Sequence, residues 1–341
     1  LYHLNAEEEP EDVDYPDPER FPNFRENFGP RGVIHSYADG RNEDTGPLTK
    51  KRMETVDDEI IEPAQRFISD AKESGTPFFV WFNTTGMHFR THIADEIRGQ
   101  AGYWQSEYHD AMVEHDKRIG QMLDYLDELG LAEDTIVLYS TDNGVHMNTW
   151  PDSGMTPFRN EKNSCWEGAF RVPSLARWPG HIEPDTVLNG IISHNDWFPT
   201  LLAAAGEPDI ADKLKAGHEL DGTTYKVHLD GFNQLPYLTG EADESPRGYF
   251  LYVSDDGDLM ALRFDNWKIV FLEQRAPGTL RVWAEPFTEL RVPKIFNLRT
   301  DPFERADVTS NTYYCLLYTS PSPRDFSCNL VCRLLLEKGG G

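Results

Sequence analysis

Thr135-Ile136-Val137-Leu138-Tyr139-Ser140-Thr141-Asp142-Asn143-Gly144 is the stretch from which the fold reads outward. Its first six residues form a largely apolar run of strand length, the pattern of a strand covered on both faces. Turn-forming residues follow at its C-terminal end. Upstream, Tyr103 to Leu129 repeats at helical spacing, with Ile119, Met122, Leu123, Leu126 and Leu129 on one face and Gly130 as its stop. Pro77-Phe78-Phe79-Val80-Trp81-Phe82 is a second buried-strand run. Before it, Ile60, Ile61, Ala64, Phe67, Ile68 and Ala71 mark a helix between the capping signal Thr55-x-x-Asp58 and Gly75. Helix, strand, helix, strand predicts an α/β layer with right-handed crossovers. In such sheets chemistry gathers past the C-terminal ends of strands, here Asn83–His92 and Thr141–Asn148.

Beyond residue 245 the period changes. Tyr249–Val253, Leu259–Phe264, Trp267–Leu272 and Leu280–Ala284 are short, alternating and separated by Asp, Gly and Asn, which predicts an antiparallel meander. Residues 1–50, rich in Pro, Gly, Asp and Glu, read as a long loop. The chain opens on Leu1 and runs at once into Ala6-Glu7-Glu8-Glu9-Pro10-Glu11, which reads as a truncated start. Cys315 to Gly341 holds three of the four cysteines and the string Leu316-Leu317-Tyr318-Thr319-Ser320-Pro321-Ser322-Pro323-Arg324-Asp325, and it reads as a non-native tail. The expected organisation is a main domain over 1–244, an antiparallel subdomain over 245–314 and a tail over 315–341.

A net charge of −26 argues against nucleic acid or an anionic membrane as partner, since both are polyanions. No stretch approaches the roughly 18–20 apolar residues of a membrane span. The cysteines fit neither a disulfide framework nor a zinc-ligand spacing. An enzyme acting on anions must therefore make its site locally positive with a metal or with placed Lys, Arg and His.

Three segments carry candidate chemistry. Asp142 and Asn143 offer two hard oxygens at a strand end, suited to calcium or magnesium; the plain alternative is an Asx turn with Gly144 at positive φ. His88, in Gly86-Met87-His88-Phe89-Arg90-Thr91-His92, could donate to an oxyanion or protonate a leaving group, or could be a structural histidine. His88 and His92 at i, i+4 also have ligand spacing, with no third ligand nearby. Lys162 could supply a point charge to an anion, or could be solvated.

Read in order, these segments become specific. A strand, a His loop, a helix and strand, Asp142-Asn143-Gly144, and then Lys162-Asn163-Ser164-Cys165-Trp166-Glu167-Gly168-Ala169-Phe170-Arg171-Val172-Pro173 resemble the sulfatase family. The resemblance continues through Ser193-His194-Asn195-Asp196-Trp197-Phe198-Pro199 and resumes at Ile295-Phe296-Asn297-Leu298-Arg299-Thr300-Asp301-Pro302-Phe303-Glu304, covering roughly residues 1 to 310. It implies an α/β, alkaline-phosphatase-like mixed sheet sandwiched by helices, incomplete here, with a smaller C-terminal antiparallel α+β domain.

By that resemblance Asp142 and Asn143 would be calcium ligands (magnesium being the alternative metal), and Lys162 would bridge the sulfate and its leaving oxygen. His88 would help protonate the departing alcohol or phenol. Arg90, Trp104 and Trp150 are candidates for the substrate rim, whereas Glu167, Arg171, His194 and Asp196 read as structural. The implied activity is sulfuric ester hydrolysis on a small-molecule or carbohydrate sulfate, in a periplasmic or secreted protein. The family's nucleophile is a formylglycine made in a Cys/Ser-x-Pro-x-Arg motif. No such motif occurs here, and it is expected upstream of Leu1, so the chain alone is expected to be inactive and to bind calcium weakly. The competing readings are a phosphodiesterase or phosphonate monoester hydrolase of the same superfamily, and a non-catalytic sulfate- or carbohydrate-binding protein.

Overall fold

The computed structural model describes residues 32–88, 91–147, 154–276, 278 and 281–309. The acidic start, the 315–341 tail, Arg90 and Trp150 lie outside the described residues. The described residues form two compact units, one over residues 32–132 with residue 147, the other over residues 133–146 and 154–309.

In the first unit, β1 (Gly32–Ser36) and β2 (Asn42–Pro47) form an antiparallel hairpin where the sequence reads as loop. Its turn is closed by Tyr37 N–H donating to Arg41 O, with Gly40 at φ 84° and the Arg41 guanidinium 4.0 Å above the Tyr37 ring. Such pairing comes from turn geometry and stacking, which leave little periodicity to read. Two long helices follow, Val56–Ser74 and Glu107–Glu128. Of the predicted faces, Ile61, Ile68 and Ala71 on the first and Leu126 on the second are buried, whereas Phe67 is 51% exposed. Gly75 and Gly130 end them at φ 64° and 66°. Thr55 precedes the first helix, but its hydroxyl makes no capping hydrogen bond. The helices are tied by the Ser69 and Tyr125 hydroxyls, by Lys72 Nζ on Leu129 O and by Arg118 Nε on Asp58 at 3.1 Å.

The expected strand over Pro77–Phe82 does not form. The run lies outside every sheet, and Phe79 and Trp81 are 69% and 80% exposed. An apolar run supplies strand propensity, whereas a strand also needs a neighbour to hydrogen-bond, which local sequence cannot guarantee.

In the second unit β3 (Val137–Ser140) is a strand as predicted, but its partner is β4 (Ser174–Arg177) and the pairing is antiparallel, Val137 opposite Arg177 and Ser140 opposite Ser174. A small hairpin, β5 (His218–Leu220) and β6 (Thr223–Tyr225), comes next. Then β7 (Tyr249–Val253), β8 (Leu259–Phe264), β9 (Trp267–Glu273) and β10 (Thr288–Asn297) form a meander in the order β10-β9-β8-β7. The predicted fourth strand is displaced: Arg281–Ala284 is a helical turn, and the fourth strand starts at Thr288. All strand pairs among the described residues are antiparallel, so the expected mixed sheet is represented only by the β3–β4 pair and the meander. The meander buries Tyr252, Met260, Ala261, Val270 and Phe296 against Cys165 and Trp166, with Trp166 and Phe296 edge to face. That burial joins the sheet to the Lys162–Pro173 block.

Candidate functional site

The Asp142-Asn143-Gly144 loop leaves β3 and lies directly on the Lys162–Phe170 block. Gly144 N–H donates to Ala169 O at 2.8 Å, and Lys162 N–H donates to Val145 O at 3.0 Å. Gly144 does not occupy positive φ, which overturns the Asx-turn account of it. It is needed for closeness instead: a Cβ there would sit 1.8 Å from Gly168 O. Gly168 is equally confined, with a Cβ falling 2.1 Å from Asn160 O and 2.4 Å from Arg159 O. Two glycines thus let three backbone segments touch. Asp142 is exposed and Asn143 partly buried, with its amide NH₂ donating to Gly144 O at 2.9 Å, so the amide oxygen is turned away from that contact.

Beneath the loop, Ser140 Oγ lies 2.9 Å from Pro173 O and 3.1 Å from His194 Nε2. His194 opens a turn closed by a Ser193/Asp196 capping box. Asp196 is fully buried and accepts from the Arg247 guanidinium at 2.5 Å, Phe232 N–H at 2.8 Å and Gln234 Nε2 at 2.9 Å. The Lys162 block is braced from the other side. Glu167 Oε1 accepts from the Tyr252 hydroxyl at 2.5 Å and from Lys268 Nζ at 3.1 Å. Glu304 Oε2 accepts from Glu167 N–H at 2.7 Å, and its Oε1 pairs with Lys268 Nζ at 2.7 Å. Arg159 lies 3.5 Å above the Trp166 ring and donates to Glu304 O and Asp307 Oδ1.

Lys162 itself is partly buried, with its ammonium 5.8 Å from the Trp283 ring centre. Trp283 Nε1–H donates to His146 Nε2 at 3.3 Å. Burial, opposed by Glu161 and reinforced by nearby Lys162, holds His146 below the usual histidine range, which favours the neutral ring that can accept that bond.

The sulfatase family matches residues 9–207, more than half of the chain. The chain belongs to the sulfatase family. It is 28% identical to human arylsulfatase A over 254 residues, 71% of this chain and 46% of that protein. It is 28% identical over 308 residues to N-acetylgalactosamine-6-sulfatase of Canis lupus familiaris, 82% of this chain and 55% of that one. Among solved structures it is similar to the PsFucS1 sulfatase of Pseudoalteromonas sp., with a TM-score of 0.79 and 26% identity over 96% of this chain and 62% of that chain. The chain spans about half the length of the curated relatives it matches. The family and the structural likeness give it the alkaline-phosphatase-like α/β fold of sulfatases.

In this sulfatase-family chain, then, the second unit brings Asp142, Asn143 and Lys162 onto one backbone interlock. His88 and Trp104 belong to the first unit. His88 closes a tight turn, its N–H donating to Thr85 O at 3.3 Å, while Met87 takes φ 73° and Thr91 Oγ1 donates to His88 O at 2.7 Å. Trp104 is 90% exposed and stands edge to face with Tyr103. His92 Nδ1 lies 3.7 Å from Glu107 Oε1, and among the described residues no group of three or more His, Cys, Asp or Glu gathers around the two histidines to hold a metal. No helix among the described residues is long and apolar enough to cross a membrane.

Sequence reasoning missed the anchor of the His88 turn. Asp57, in the first turn of the Val56–Ser74 helix and 3% exposed, accepts from Thr85 N–H at 2.6 Å, Thr85 Oγ1 at 2.8 Å and Gly86 N–H at 2.9 Å, with Arg118 Nη1 3.7 Å away. Beside the acidic Asp58 and Glu59 it looked like ordinary first-turn charge. Asp57→Ala is expected to lower stability by about 2–3 kcal/mol, since buried donors lose a charged acceptor. Urea unfolding checks this, and the imidazole resonances of His88 should shift in the folded variant.

The sulfatase metal is tested by the donor set. Asp142 and Asn143 supply two hard oxygens, right in kind for calcium but a fraction of a shell of roughly six to eight. Among the described residues no group of three or more His, Cys, Asp or Glu could hold a metal ion.

Proposed function

We propose that this chain carries the metal-loop and leaving-group part of a sulfuric ester hydrolase site. The observation that carries the reading is the Gly144–Gly168 interlock, which fixes two oxygen donors and a lysine on one rigid frame inside a strongly acidic protein. Asp142 and Asn143 would hold calcium. When bound, calcium supplies positive charge against the sulfate oxygens. Lys162 would carry the negative charge that grows on the leaving oxygen as the S–O bond breaks, and His88, in the first unit, is the family resemblance's candidate for a proton donor. The substrate class is a sulfate monoester of a sugar or phenol. This fits the printed names of the relatives, one an arylsulfatase and one acting on N-acetylgalactosamine 6-sulfate.

The sequence contains no Cys/Ser-x-Pro-x-Arg motif for a formylglycine. Calorimetric titration of this chain with calcium is therefore expected to give a dissociation constant of about 10⁻³ M or weaker, lost in Asp142→Ala. Inorganic sulfate is expected to bind and to lose affinity in Lys162→Ala, with no turnover of 4-nitrophenyl sulfate. Hydrolysis of a phosphate diester by the same preparation, or sulfate binding indifferent to Lys162, would overturn the assignment.

A further inference from the structure

Trp283 has an unusual combination of rigidity and exposure. Its backbone turn is pinned by two side-chain amides: Asn163 Nδ2 donates to Val282 O at 2.8 Å, and Gln274 Nε2 donates to Val282 O at 3.0 Å and to Glu285 O at 3.1 Å. Val282 and Gln274 are buried, yet the Trp283 indole beside them is 48% exposed. Its one polar atom is already satisfied by His146, whose ring stands at 84° to it, so the open indole face has no need of water. The ring centre is 5.8 Å from Lys162 Nζ. A preorganised aromatic face beside a cation matches a ligand that joins an anion to a ring.

We propose that Trp283, held by His146, is the specificity wall of the site: it stacks on the six-membered ring whose sulfate is held at Lys162. The inference rests on the sulfate-site reading above and adds the part that reads the alcohol. A ring stacked on a fixed indole gains affinity with little ordering cost. Inorganic sulfate has no ring and should not sense the wall.

The test titrates the full chain, in calcium, with inorganic sulfate, phenyl sulfate and glucose 6-sulfate. Trp283→Ala is expected to weaken the ring-bearing probes by roughly three- to tenfold and to leave inorganic sulfate unchanged. Trp283→Phe, which keeps a ring, should recover most of the loss. Weakening of phenyl sulfate alone assigns the wall to aryl esters, and of glucose 6-sulfate alone to sugar esters; either supports it. Equal weakening of all three probes would show a structural role and overturn the proposal, as would no weakening of any. If the unaltered chain binds none of the probes, the sulfate-site reading itself fails and the wall with it. Histidine ¹⁵N shifts give an independent check, since the Trp283 bond requires the proton of His146 to sit on Nδ1.

Discussion

Lys268→Met is expected to destabilise the protein by about 3–5 kcal/mol, the usual cost of removing one partner from a buried ion pair. Lys268 is fully buried between Glu167 and Glu304, 2% and 0% exposed, and its ammonium also lies 4.1 Å above the Tyr252 ring. Burial alone would lower the lysine pKa, but the two carboxylates more than offset it and hold the group above its ordinary value. Methionine keeps the volume and strands two acids. The double variant Lys268→Met, Glu304→Gln should regain part of the loss by removing one of them. Chemical denaturation reads both, and a single-variant cost under about 1 kcal/mol would show that the acids do not depend on the lysine.

The same cluster fixes a pH dependence whose sign differs between its two acids. Burial pushes Glu167 up, but Lys268, the Tyr252 hydroxyl and Arg263 overcome it, leaving its carboxyl below the ordinary value. Its stabilisation is present above the unfolded carboxylate range and is lost as pH falls through the lower folded value. Burial, with the charge of Glu167 adding to it, holds Glu304 above the ordinary value. Glu304 therefore opposes folding above that range and ceases to do so in acid. Acid-side loss of stability should accordingly be blunted in Glu167→Gln and not in Glu304→Gln.

Gly144→Ala is the second large effect. The added carbon would fall 1.8 Å from Gly168 O and 2.8 Å from Gly168 C, both backbone atoms that no rotamer change can clear. The Asp142–Asn143 loop must then lift from the Lys162 block, breaking Gly144 N–H to Ala169 O and straining Lys162 N–H to Val145 O. A cost of about 3 kcal/mol is expected, at the upper end for overpacking. Hydrogen exchange should quicken at the Gly144 and Lys162 amides before the rest of the unit. Gly75→Ala is an informative contrast, because no atom lies within 4 Å of the added carbon and only the positive φ resists it.

What the sequence disclosed follows the range of the interaction. The two long helices were legible from Ile61, Ile68 and Leu126 because a helix writes its buried face at a fixed period, and Gly75 and Gly130 mark its end by conformation. The meander was legible for the same reason, except where Arg281–Ala284 closed into a turn held by nearby Gln274 and, from 119 positions away, by Asn163. Pro77–Phe82 failed as a strand because pairing belongs to a neighbour. Asp57, Lys268 and the brace role of Glu304 escaped notice because their partners are 28 to 137 residues away and leave no local pattern. Asp142, Asn143 and Lys162 were named from the motif of the resemblance, and the structure adds that Gly144 and Gly168 let their backbone segments meet.

Glu304 also sets an order of events in the life of the chain. The block around Lys162 leaves the ribosome well before its brace exists, since Glu304 follows Glu167 by 137 positions and its carbonyl closes on Arg159 across 145. At translation rates of about 5–20 residues per second, that interval is roughly 7–30 s. Until β7 to β10 have followed, Glu167 and the Trp166 side chain lack the sheet that buries them, so the nascent site is a sticky, acid-bearing surface awaiting its last strands. A premature stop anywhere between β9 and Glu304 would therefore release a product whose helices form but whose central block stays open to chaperones and proteases.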